Sequence, residues 1–192
     1  MDLQHANVKL LVTTPGEVDL EPLIPIFHDW IRERVFEELL LDVADYRHVP
    51  EGPGVVLIGL QANYSVDNTD SRLGVRYNRK APLDGSNQDR LQQAARAALA
   101  ACQRLESDAR LNGKLRFGGR EIEVFFNDRA LAPNTETTRK AFEADLHAFA
   151  EKLFRGAQYS LSHDSDPRRL FGVSVRSSQS FPTSDLLANL SF

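Results

Sequence analysis

Apolar side chains recur at every second residue through much of the chain, and at every third or fourth residue in three longer stretches. The first pattern marks half-buried strands and the second marks amphipathic helices. Val8, Leu10 and Val12 alternate in a short first strand, and Leu39, Leu41 and Val43 do so in another. From Val55 to Val66, the residues Val56, Ile58, Leu60, Ala62, Tyr64 and Val66 fall on one side, with Gln61, Asn63 and Ser65 on the other. That alternation predicts one long strand. Asp67-Asn68-Thr69-Asp70-Ser71 has turn chemistry, and Leu73, Val75 and Tyr77 continue in a partner strand, so the region reads as a hairpin. A second hairpin is predicted around Gly118-Gly119, flanked by Leu115 and Phe117 before it and Ile122, Val124 and Phe126 after it. A third joins Tyr159–Leu161 to Leu170–Val175 through the polar loop His163–Arg169.

The helical stretches are equally regular. After a turn at Pro15-Gly16, Leu23, Phe27 and Ile31 share one face, Ile26 and Trp30 an adjacent one, and Pro25 is tolerated in the first turn. That helix is expected to end near Val35. Leu91, Ala95, Ala98, Cys102 and Leu105 mark a second helix from about Gln88 to Leu111, with Cys102 as a buried, inert thiol. Phe142, Leu146, Phe149 and Leu153 mark a third, from about Thr135 to Arg155, stopped by Gly156. Hairpins separated by helices, with few β-α-β crossovers, predict an α+β two-layer sandwich. Its sheet is mostly antiparallel, with six to eight strands and about three helices on one face.

Tyr64-Ser65-Val66 before Arg72-Leu73-Gly74-Val75 is echoed by Tyr159-Ser160-Leu161 before Arg169-Leu170-Phe171-Gly172-Val173, two hairpins of like design. The end of the chain, residues 181–192, carries Phe181, Leu186, Leu187, Leu190 and Phe192. So apolar a tail is expected to pack on its own domain, taken as residues 1–192, or on a second subunit. The second alternative motivates a homodimer.

Composition narrows the classes. The 192 residues are 42% hydrophobic and 26% charged, as in ordinary globular proteins, with a net charge of −4. The acidic balance argues against nucleic acid as a partner, as does the lack of aromatics interleaved with basic residues. One cysteine permits no internal disulfide and no multi-cysteine zinc site, which fits a reducing compartment. No apolar run approaches membrane-spanning length and the start lacks a signal-peptide pattern, so the expected location is cytoplasmic, without membrane contact.

Two places offer chemistry. The first is Asp42–Gly54, where Asp42, Asp45, Tyr46 and His48 lie at a strand end before a stiffened loop carrying Pro50, Gly52, Pro53 and Gly54. Here His48 would act as base or ligand, oriented by a carboxylate, in hydrolytic or acid-base catalysis, with His28 or His163 as a third partner. A metal-assisted version would need those histidines to converge. No metal-binding, nucleophile-elbow or phosphate-loop spacing is present, so no metal and no cofactor are assigned. The second is the polar face of the sheet, where Asn63, Arg76, Asn78 and Arg176 would meet a small anionic ligand or a second copy of the chain. On balance the sequence favours a non-enzymatic binding or interaction module, with the enzyme as the alternative.

Overall fold

The computed structural model describes residues 1–13 and 18–191. The Pro15-Gly16 turn and Phe192 lie outside the described residues. Eight strands form one antiparallel sheet: β1 Ala6–Val12, β2 Leu40–Tyr46, β3 Gly54–Gly59, β4 Ala62–Asp67, β5 Gly74–Arg79, β6 Phe117–Phe126, β7 Tyr159–His163 and β8 Gly172–Ser177. Their order across the sheet is β2-β3-β4-β5-β1-β6-β8-β7, and every neighbouring pair is antiparallel. Among the described residues, four α-helices accompany it: α1 Leu23–Glu33, α2 Asn87–Ser107, α3 Glu136–Leu153 and α4 Thr183–Asn189. The architecture is the α+β sandwich the sequence predicts, with α4 as a fourth helix.

Register places the apolar rows together. Val55, Val66, Val75, Leu10, Ile122 and Val175 are successive cross-strand neighbours, and so are Leu57, Tyr64, Tyr77, Val8, Val124 and Val173. All twelve are buried and lie on the face that the helices cover. Helix α2 lies over β1 and β5, where Ala94, Ala95, Ala98 and Ala101 let its backbone approach closely. Its start is fixed by a reciprocal cap: Ser86 Oγ accepts from the Asp89 N–H while the Asp89 carboxylate accepts from the Ser86 N–H. Cys102 is buried there, as the spacing predicts, and burial pushes its thiol well above the usual range. Helix α1 joins the core through an aromatic chain, Phe27–Trp30–Phe36–Tyr64–Tyr77, with ring centroids 4.8–5.4 Å apart. Such contacts add about 0.5–1.5 kcal/mol per pair beyond area burial. Leu186 and Leu190 of the tail are buried, α4 packing on α2, α3 and β6 of the same chain, so burial of these residues needs no partner subunit.

Two expectations are corrected. The stretch Val55–Val66 is two strands: Leu60-Gln61 reverses the chain, and β3 folds onto β4 with Val55 opposite Val66 and Leu57 opposite Tyr64. The inward residues of β3 are therefore Val55 and Leu57, and Val56 and Ile58 face the other way, half-buried. The two-residue reversal shifts the alternation by one residue, and the apolar run Val55–Ile58 hides the shift because it fits either phase. Leu60, placed inward by the unbroken alternation, is 58% exposed. Conversely, Gly118-Gly119 makes no hairpin, and Phe117–Phe126 is a single strand. Neither glycine has a positive φ. Gly119 serves close approach instead, because a Cβ there would collide with the Phe181 carbonyl oxygen and with Leu186.

The β4–β5 and β7–β8 hairpins, whose sequences echo each other, sit at equivalent places on either side of the central β1–β6 pair. Their loops leave opposite ends of the sheet. Asp67 and Gly74 of the first are level with Leu11, whereas Gly172 of the second is level with Phe125 and Asn7.

Candidate functional site on the open face of the sheet

Side chains between the apolar rows point away from the helices, and one row of them crosses six strands. Ser65, Arg76, Lys9, Glu123, Ser174 and Ser162 are direct cross-strand partners in turn on β4, β5, β1, β6, β8 and β7. Five of these, Arg76, Lys9, Glu123, Ser174 and Ser162, form the floor of a cleft of about 630 Å³, within the range of small-molecule sites. The β4–β5 loop supplies Thr69, Asp70 and Arg72 to its wall, and the β7–β8 loop supplies Asp164, Arg168, Arg169 and Leu170. Phe125, Arg129 and His163 also line it.

The floor is built on a buried ion pair. Lys9 Nζ donates to Asp67 at 2.5 Å, and the two side chains are only 3% and 1% exposed. Asp67 also accepts from the Thr69 N–H and hydroxyl, at 3.1 and 2.9 Å. Arg76 lies farther off, at 3.7 Å from the same carboxylate. Its guanidinium stacks 4.4 Å from the centroid of the Phe125 ring, and its Nε is buried with no hydrogen-bond partner. Two cations thus share one carboxylate, and only one holds it in a tight pair. Burial lowers the Arg76 pKa and outweighs the pull of Asp67 in the other direction.

Beside them, Arg72 reaches Glu123 at 2.5 Å and Glu121 at 2.7 Å. Glu121 also accepts from the Ser174 hydroxyl at 2.5 Å, and its pKa is held down by Arg72 and Ser174 against the opposing effect of burial. Glu123 goes the other way: burial raises its pKa more than Arg72 and Lys9 lower it. Among the charged side chains lining the cleft are Lys9 and five arginines (72, 76, 129, 168 and 169) against four carboxylates, Asp67, Asp70, Glu123 and Asp164. The cleft is cationic in a chain whose net charge is −4.

The residues named from the sequence fall as follows. Asn63 and Asn78 are cross-strand partners on the open face, and Ser65 pairs with Arg76. Arg76 alone of the four candidate ligand residues lines the cleft. Asn78 Oδ1 accepts from the Asn127 amide at 3.0 Å, and Arg176 is 60% exposed and leans on Glu121 at 3.5 Å. Asp42, Asp45, Tyr46 and His48 lie on the exposed outer strand β2 and the turn after it. None of the four lines the cleft. Asp42 accepts from the Val43 N–H at 2.8 Å. Asp45 is bound through two oxygens to Arg47, at 2.9 and 2.8 Å, which holds its pKa down to about 2. His48 is 6.4 Å, ring to ring, from Tyr46. His28 is exposed on α1. His163 ends β7 opposite Val173, stacked on Phe171, and lines the cleft. Among the described residues, no three His, Cys, Asp or Glu side chains are gathered as a metal site would need, and no helix is long and apolar enough to cross a membrane.

Sequence reasoning missed Lys9, Asp67 and Glu123. Lys9 and Glu123 had a legible signal, since each is a charge between two apolar residues on an alternating strand. Asp67 read as a turn residue, and only register shows that its carboxylate lies beneath Arg76. Comparisons with protein-family models, with curated proteins and with solved structures find no match to this chain.

Proposed function

We propose that this protein is a binding module whose ligand is a small organic anion held on the open face of the sheet. The observation that carries the reading is Arg76: a largely buried guanidinium, stacked on Phe125, whose nearest carboxylate is already taken by Lys9. An incoming carboxylate or phosphate group supplies the charge that Arg76 lacks, and a guanidinium matches either group through two parallel hydrogen bonds. The volume suits a molecule larger than an inorganic ion. Phe125 and Leu170 offer it apolar contact, and Ser162 offers a hydroxyl. We assign no reaction to this cleft.

Titration calorimetry with sulfate and with succinate tests the reading. The expected result is saturable binding to the wild-type protein, weakened at least about tenfold in Arg76→Gln, the scale of losing one charge-assisted contact. Absence of binding, or equal binding by the variant, overturns it.

A second copy of the chain is the other partner supported by an observation. On the outer strand β2 and the adjoining turn, Leu39, Leu41 and Leu60 are 57%, 51% and 58% exposed. Such a cluster on an outer strand with unpaired backbone groups favours strand-to-strand association. Light scattering tests it: a dimer that Leu41→Lys converts to a monomer supports the homodimer, and a monomeric wild-type protein excludes it.

A further inference from the structure

We propose that the tip of the β7–β8 loop, Pro167–Leu170, is a lid over the cleft, latched by Arg169 to the opposite hairpin. The proposal rests on the reading of the cleft as a ligand site and concerns access to it. The two hairpin loops leave opposite ends of the sheet, yet Arg169 of one is ion-paired with Asp70 of the other and, at 3.0 Å, with Asp164 of its own loop. Both loops therefore lean across the open face, with Arg168, Arg169 and Leu170 above the floor that holds Lys9 and Arg76.

The ends of the lid are firmly held and its tip is not. On the β7 side, the buried Asn134 amide donates to the carbonyls of Asp164 and Asp166, both at 2.9 Å. On the β8 side, Phe171 is fully buried between Phe126 and Phe142. Between these anchors, the Arg168 and Arg169 N–H groups bond only back to Asp166. Arg168 is 88% exposed and pairs with Asp166 alone. The tie across the cleft is thus Arg169. It is 47% exposed and its partners Asp70 and Asp164 are 49% and 41% exposed. Ion pairs this wet are weak and screened by salt, so the latch opens readily, and an anion competes directly with Asp70 for Arg169.

The test needs no ligand. Phenylglyoxal modifies accessible guanidinium groups, and peptide mass mapping reads the rate at Arg76 beneath the lid. In the folded full-length protein, Arg169→Gln and Asp70→Asn are expected to speed modification of Arg76 by about two- to fivefold, the range for losing an exposed ion pair. Wild-type protein in 0.5 M salt should move toward the same rate, and Arg168→Gln should match wild type. An Arg76 rate unchanged in both latch variants, or raised equally by Arg168→Gln, overturns the lid. Asp70→Asn keeps the test open should Arg169→Gln fail to fold. Failure of the anion reading is recognised separately, as failure of sulfate to bind in calorimetry.

Discussion

The outer strand β2 and the central strand β1 both carry charged residues, and they use them in opposite ways. On β2, Asp42 and Asp45 face solvent, and Asp45 is neutralised by its near neighbour Arg47. On β1, Lys9 is buried, and its partner Asp67 comes from 58 residues away. Water screens the first pair, so its geometry carries little energy. The low-dielectric surroundings of the second make every unmatched charge expensive. The difference teaches that a cluster of reactive side-chain types in sequence is weaker evidence for a site than a charge that folding takes out of water.

The largest expected effect breaks the buried pair. Lys9→Met leaves Asp67 enclosed with only the more distant Arg76 as counter-charge, and should lower stability by about 3–5 kcal/mol in denaturant titration. The matching change on the outer strand, Asp45→Asn, removes a screened contact and should alter stability by no more than about 0.5 kcal/mol. Similar losses in the two variants would erase the distinction drawn here.

Next in size is the effect of Arg76→Gln, which separates binding from stability. The variant should lose anion binding by at least about tenfold while staying as stable as wild type, because burial already disfavours the charged form of Arg76. A large loss of stability would instead make Arg76 a structural counter-ion to Asp67.

Smaller still is a pH effect through Glu123. Its pKa is raised by burial, and the charged groups around it are Arg72, Lys9, Glu121 and Asp70. A bound anion disfavours the Glu123 carboxylate further, so binding takes up a proton. Affinity for sulfate, whose own charge is constant over this range, should therefore rise several-fold as pH falls from 7 toward 5. In Glu123→Gln the dependence should flatten. Weaker binding on acidification would reverse the sign and contradict the placement of the anion beside Glu123.

The smallest effect is expected at His48. Exposed and outside the cleft, it should be replaceable by alanine with no change in sulfate affinity and with a stability change within about 0.5 kcal/mol. Loss of binding in His48→Ala would return attention to Asp42–Gly54.

How much of this was legible in the sequence follows from where the physics is local. The buried stripes of α2 and α3 are set by spacing within one helix, and all of their residues named from the sequence are buried. The polar face was legible for the same reason, through alternation at Asn63, Ser65, Arg76 and Asn78. The reversal at Leu60-Gln61 was not, since Gly59 has no polar turn residue beside it and the apolar run Val55–Ile58 fits either phase. Gly118-Gly119 misled because a glycine pair marks a turn or a close approach equally well, and the close approach is made by Phe181, more than sixty residues later. The cleft was half legible. Arg76 stood out on its strand, but Asp67, Arg72 and the roof of Arg168–Leu170 depend on register and on loops leaning from opposite ends of a sheet.

The central claim is that ligand binding belongs to the face of β5, β1 and β6 and not to the outer strand. Amide chemical shifts followed by NMR during a sulfate titration test it most directly. The account predicts saturating shifts at Lys9, Arg76, Glu123 and Arg169, with Asp42–Gly54 unmoved. Shifts confined to Asp42–Gly54, or none at the cleft, would contradict it.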